Sequence, residues 1–225
     1  MWLTGLTAVI LGVKLSQTIY SDEPCHAIEV SETVTESQST IGSVSTFCRY
    51  VQNDNNTWTI IHRRVDGTLN FTRTWEDYRD GFGDLQGEYW LGLEKIHQLT
   101  QTGPHKLMVV LKDYDDVRMW ALYDKFRVLS EVDQYELEVG QFSAGDAEDS
   151  LKEHNAMKFS TPDRDNDMWS GNCAELYESG WWFKNCHAVN LNGIYQDETE
   201  YDKMMWGKKS LKEAQMMIRV DESSQ

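Results

Sequence analysis

Residues 160–186 read STPDRDNDMWSGNCAELYESGWWFKNC. Carboxylates alternate at Asp163, Asp165 and Asp167 and run straight into a loop bounded by Cys173 and Cys186. Hard cations need several oxygens held close together, and a disulfide freezes a loop that has little core beneath it. The stretch therefore reads as a calcium site fused to a binding pocket. It is not an EF-hand: with the three aspartates at loop positions one, three and five, Met168 falls where glycine is required and Ala174 where the bidentate glutamate belongs. A solvated acidic turn is the plainer reading in so acidic a chain, but the flanking Asn166, Gly171 and Asn172 favour ligation.

Working outward, the other cysteines are Cys25 and Cys48, and four cysteines allow three connectivities. The nearest-neighbour one, Cys25 with Cys48 and Cys173 with Cys186, closes two loops of modest length. Zinc is the competing reading, yet the spacings are far from C-x-x-C and only the adjacent His187 follows. Disulfides imply an oxidising compartment. Residues 2–13 form a largely apolar run, too short to span a bilayer, which needs roughly 20 residues. They fit the core of a signal peptide over 1–18, with 19–24 as a short linker, although no basic residue precedes the run. Sequons at Asn55 and Asn70 agree with a secreted, extracellular glycoprotein. The formal charge of −16, from 21 basic and 37 acidic side chains, repels nucleic acid and anionic lipid, and neither nucleic-acid binding nor membrane insertion is expected.

With 225 residues, nine Trp and ten Tyr, the chain has ample core for a large domain. Residues 58–65 read as a strand, Asp66-Gly67 as a turn, and Leu69 and Phe71 as the return strand of a hairpin. Thr74 caps a short helix through Tyr78, and Leu93, Ile96 and Leu99 mark a second helix stopped by Gly103-Pro104. Residues 106–111, 119–128 and 134–142 alternate as strands, most clearly at Tyr135, Leu137 and Val139. No βαβ alternation occurs, so the fold class is α+β with an antiparallel sheet and packed helices. From Phe159 to Trp206 regular periodicity fades, and so long an irregular stretch needs metal, disulfide and aromatic clusters to tie it down. No heptad run or other stalk is present.

The segments WTIIHRRVDGTLNF, WEDYRDGFG, GEYWLGLEKI, FSTPDRDND, NCAE, WWFKNCH and LNGIY resemble, in order and spacing, the fibrinogen C-terminal domain, the module shared by fibrinogen chains, ficolins, tachylectins and angiopoietins. The resemblance covers residues 25–220, leaves 221–225 as a tail, and implies three parts. These are an N-terminal disulfide subdomain, a central twisted antiparallel sheet with helices, and a loop-rich C-terminal calcium- and ligand-binding subdomain. It implies Ca²⁺ held by the carboxylates of Asp165 and Asp167 and the main-chain carbonyls of Trp169 and Gly171, with Asp163 outside that set. It also implies an acetyl pocket at Tyr177, Asn185, Cys186 and His187 around a cis Asn185-Cys186 peptide, with Tyr201 as its second wall. Trp181, Trp182 and Trp206 read as core. Leu176 and Tyr177 replace the Gln and Asp that follow Cys-Ala-Glu in fibrinogen's own peptide hole, which argues against fibrin-type polymerisation. Asn56-Thr57 stands where the family usually has a glycine pair before Trp58, a departure that touches local turn geometry.

Two functions follow from the resemblance. The leading expectation is a secreted, calcium-dependent lectin that recognises acetylated glycans or microbial surface polysaccharide in innate immunity. The alternative is a protein-binding receptor ligand or extracellular matrix protein of the angiopoietin-like branch. Single acetyl contacts are weak, so self-association into a homo-oligomer is expected to supply avidity. An enzyme is not expected: there is no G-x-S-x-G elbow, Walker loop or H-E-x-x-H, and Gly207-Lys208-Lys209-Ser210 lacks the upstream glycine of a phosphate loop.

Overall fold

The computed structural model describes residues 36–41, 44–51, 56–196 and 203–221, those before 57 by their backbone alone. Its elements in chain order begin with β1 (Glu36–Ile41), β2 (Val44–Val51), β3 (Asn56–Arg64), α1 (Trp75–Asp80), β4 (Phe82–Gly83), β5 (Tyr89–Trp90) and α2 (Leu93–Thr100). There follow β6 (His105–Asp113), β7 (Arg118–Tyr123), β8 (Phe126–Val128), β9 (Leu137–Val139) and β10 (Phe142–Gly145). The last are α3 (Cys173–Leu176), β11 (Val189–Asn190), β12 (Met205–Trp206) and β13 (Lys209–Val220). An antiparallel sheet runs in the order β1-β2-β3-β13-β6-β7-β10, the α+β architecture expected. The signal peptide and linker over 1–24, the Cys25–Cys48 pairing, Asn55, Tyr201 and residues 222–225 fall outside what is described.

Local signals placed the two helices well. Thr74 forms a full capping box with Asp77, and α1 buries Trp75 and Tyr78. In α2, Leu93, Ile96 and Leu99 line the buried face before the chain turns at Gly103. The hairpin expected at Asp66-Gly67 is not formed. The amides of Val65, Asp66 and Gly67 donate to Glu88 Oε1 at 2.9, 3.3 and 3.1 Å, and Leu69 donates to Oε2 at 2.9 Å. One remote carboxylate thus takes four donors that a return strand would have used, and β3 pairs with β2, β13 and β5.

Two other strand readings also change. Residues 119–128 divide into β7 and β8, and the stretch from 134 begins with left-handed Gln134 and Tyr135 (φ 54° and 50°), so only β9 and β10 are extended. The twelve-residue β13, which the sequence reading missed, is central, lying between β3 and β6. Residues 214–218 are all buried, so period-two alternation is absent there.

Packing explains how residues 159–206 stay ordered with little regular structure. Phe159 lies 5.1 Å from Tyr78, 6.0 Å from Trp90 and 5.2 Å from Trp182 between ring centroids. The expected core residues Trp181, Trp182 and Trp206 are buried. Trp182 Nε1 donates to Tyr135 O at 2.8 Å, and Trp206 Nε1 to Glu148 O at 2.7 Å, so these two indole hydrogens find acceptors inside, whereas Trp181 Nε1 has none among the described residues. This aromatic plug joins α1 and β5 to the loop-rich part.

Candidate functional site

The Asp163–Asp167 run is anchored before it can serve any ligand. Ser160 and Trp181 exchange main-chain hydrogen bonds at 2.9 and 3.1 Å, and Asn166 Nδ2 donates to Phe159 O at 2.8 Å. Asp163 Oδ1 accepts from the Trp75 amide at 2.9 Å and from the Thr161 hydroxyl at 2.8 Å. That carboxylate therefore ties the loop to the first residue of α1.

Asp165 is exposed and accepts from the Asp167 amide at 3.1 Å. Asp167 is half-buried: its Oδ1 accepts from Trp169 N at 2.7 Å and its Oδ2 from Cys173 N at 2.8 Å. Burial holds the Asp167 carboxyl above the usual carboxylate range; the two amide donors oppose the rise, and Asp165 adds to it through its charge and a hydrogen bond. Each carboxylate keeps unused lone pairs. Among the described residues no donor reaches the carbonyls of Trp169 or Gly171. A Cβ at Gly171 would lie 2.7 Å from the far end of the half-exposed Trp169 ring, which would have to shift to admit a side chain there. Two neighbouring carboxylates, beside two carbonyls with no donor among the described residues, are an all-oxygen donor set that suits a hard cation such as Ca²⁺.

The loop is stitched to the second half of the site. Asn172 caps α3 by accepting from Glu175 N at 3.0 Å, while its Nδ2 donates to Thr161 O and Pro162 O. Cys173 and Cys186 are bonded, with Cα atoms 5.6 Å apart. Met168 N donates to Lys184 O at 2.9 Å, Lys184 N to Cys186 O at 2.7 Å, and the Asn185-Cys186 peptide is cis.

Tyr177, at the C-terminal cap of α3, packs edge-on to His187 at 4.4 Å and nearly parallel to Phe183 at 6.2 Å. Of the residues expected to bind ligand, the structure thus brings together Tyr177, Asn185, Cys186 and His187. Phe183 joins them unannounced, hidden in the run WWF that reads as core.

A second missed residue is His154, which is fully buried. Its Nδ1 stands 2.7 Å from Trp182 O, and its Nε2 accepts from Ala188 N at 3.2 Å and Val189 N at 3.0 Å. Those partners fix the tautomer: Nδ1 carries the hydrogen. One ring thereby clamps the strands entering and leaving the cis peptide. Burial lowers its pKa to about 4. A lone histidine in the sequence carries no mark of this role.

The surface around the loop is apolar as well as acidic. Met168, Trp169 and Leu176 are 66%, 39% and 54% exposed, all within the stretch between Asp163 and Cys186.

Residues 26–221 match the family described as fibrinogen beta and gamma chains, C-terminal globular domain. The chain is 43% identical to mouse (Mus musculus) angiopoietin-related protein 6 over 187 residues, covering 79% of the chain and 40% of that protein. With human (Homo sapiens) fibroleukin it is 44% identical over 184 residues, 72% of the chain and 42% of that protein. The chain thus spans about two fifths of the length of these relatives. Among solved structures, the fibrinogen-like globe domain of human ANGPTL6 superposes with a TM-score of 0.78 at 42% identity, covering 85% of this chain and 90% of that one.

Proposed function

The chain belongs to the fibrinogen C-terminal domain family, and on that premise we propose that it is a secreted, non-catalytic module that binds a protein partner through a calcium-braced face, as a receptor ligand or matrix protein does. The observation that carries this reading is the concentration of large exposed apolar side chains, Met168, Trp169 and Leu176, on the rim of the site. Apolar surface of that kind, bordered by charge, marks protein interfaces. Its similarity to angiopoietin-related proteins and fibroleukin points the same way. The Cys173–Cys186 bond supports an oxidising, extracellular setting. Asp165, Asp167 and the carbonyls of Trp169 and Gly171 would hold the Ca²⁺, which supplies charge neutralisation to the loop; the chain's own bonds then keep Met168 and Lys184 in register.

Recognition of acetylated glycans, the leading expectation from sequence, becomes the second reading. It is favoured by the partly exposed Tyr177 and His187 rings beside the cis peptide, backed by the buried Phe183, which offer an apolar wall to an acetyl methyl. The two readings separate in one experiment. Fluorescent chain is bound to cultured human cells in calcium buffer, with and without prior protease shaving, and with free N-acetylglucosamine as competitor. Loss of binding on shaving, with no competition by the sugar, is the expected result; displacement by N-acetylglucosamine from shaved cells would establish the lectin reading instead. Self-association adds avidity in either case, and light scattering showing a strict monomer would remove it.

A further inference from the structure

The geometry points to Asn70 as the attachment point of an N-linked oligosaccharide whose stem stands at the edge of the candidate site. The inference rests on the secretory reading above, because the modification is made only in that pathway. Asn70-Phe71-Thr72 is one of two sequons in the chain and the one whose side chains are described. Phe71 is buried, with the Arg64 guanidinium 4.0 Å over its ring, and Tyr78 Oη donates to its carbonyl at 2.6 Å. Asn70 and Thr72 on either side are exposed. Asn70 Oδ1 accepts from Thr72 N at 2.8 Å, which leaves Nδ2, the atom that takes the sugar, facing out without a partner among the described residues. The fold therefore accepts a glycan there without rearrangement.

What the sequon touches gives the glycan a consequence. The Thr72 hydroxyl donates to Glu178 O at 2.7 Å, and Glu178 follows Tyr177, a wall of the aromatic cluster. Asn70, Thr72, Glu178 and Tyr195 also line one cavity of about 260 Å³. A sugar rooted at Asn70 shields the mouth of that cavity and the Tyr177 side of the binding face, so a protein partner must approach from the Met168 and Trp169 side.

The full chain is expressed in secreting mammalian cells, medium and lysate are collected separately, and glycopeptides are read by mass spectrometry. The Asn70 peptide from the medium is expected to carry an oligosaccharide that is lost in Asn70→Gln and in Thr72→Ala. Hydroxyl-radical footprinting of the secreted protein is then expected to show more oxidation of Tyr177 and Tyr195 once peptide-N-glycosidase has removed the glycan. Secreted chain with a bare Asn70 overturns the inference and leaves the secretory reading standing, whereas chain confined to the cytosol overturns both. An occupied Asn70 whose removal changes neither tyrosine overturns the placement of the stem.

Discussion

Glu88→Ala is expected to destabilise the protein by about 3–5 kcal/mol. The carboxylate is buried and does two things at once. It faces Arg64 Nε at 3.5 Å, and it accepts four main-chain amides between Val65 and Leu69. Arg64 is itself buried, donating to Leu191 O and Gly193 O at 3.0 Å each, so removal of Glu88 leaves an uncompensated charge and orphaned donors in one step. Through Gly67, Leu69 and Gly193, both segments held by the pair line the cavity that Glu178 also borders. Urea unfolding is the measurement. A loss under about 1 kcal/mol would mean that Phe71 and its ring contacts, not the carboxylate, hold residues 65–72 in place. Glu88→Gln, which keeps one carbonyl acceptor but no charge, should fall between the wild type and the alanine variant.

His154 makes stability depend on acid. Its folded pKa is about 4, against about 6.5 for a free histidine. Above pH 6.5 both states carry a neutral ring and the site has no pH dependence. As pH falls from 6.5 towards 4 the unfolded chain takes up the proton and the folded one does not, so stability drops by about 3 kcal/mol from this residue alone. His62 and His105, also lowered chiefly by burial, add to the slope in the same direction. The His154 share is the difference between wild type and His154→Gln in unfolding free energy between pH 7 and pH 4. Parallel pH profiles would show that the folded ring takes up its proton at the same pH as the unfolded one, so that burial does not lower its pKa.

Local rules were enough where local chemistry decides the outcome. Thr74 and Asp77 announce α1, and Leu93, Ile96 and Leu99 announce α2, because a cap and an apolar stripe are written within one or two turns. The Asp66-Gly67 turn failed as a hairpin signal because Glu88, far along the chain, takes the amides. β13 was missed for the opposite reason: a central strand buried on both faces loses the alternation by which strands are recognised. At the site, the Cys173–Cys186 pair is the nearest-neighbour option among three, while the cis Asn185-Cys186 peptide and the grouping of Tyr177 with His187 were expected only from the resemblance to the fibrinogen C-terminal domain. His154 was not legible at all, since its partners Trp182, Ala188 and Val189 become neighbours only after folding.

The calcium brace is the centre of this account, and thermal unfolding against calcium concentration tests it most directly. A cation that binds the folded state alone stabilises it by about 2.7 kcal/mol at a hundredfold excess over its Kd, a rise in Tm on the order of 5–10 °C for a chain of this size. Asp165→Asn is the informative variant, because an amide oxygen can still accept from the Asp167 amide while the charge is lost. The wild type should melt higher as calcium is added and return to its starting temperature with chelator, and Asp165→Asn should lose most of that response. A melting temperature indifferent to calcium, or a shift of equal size in Asp165→Asn, would contradict the assignment of Asp165, Asp167, Trp169 and Gly171 as the ligands.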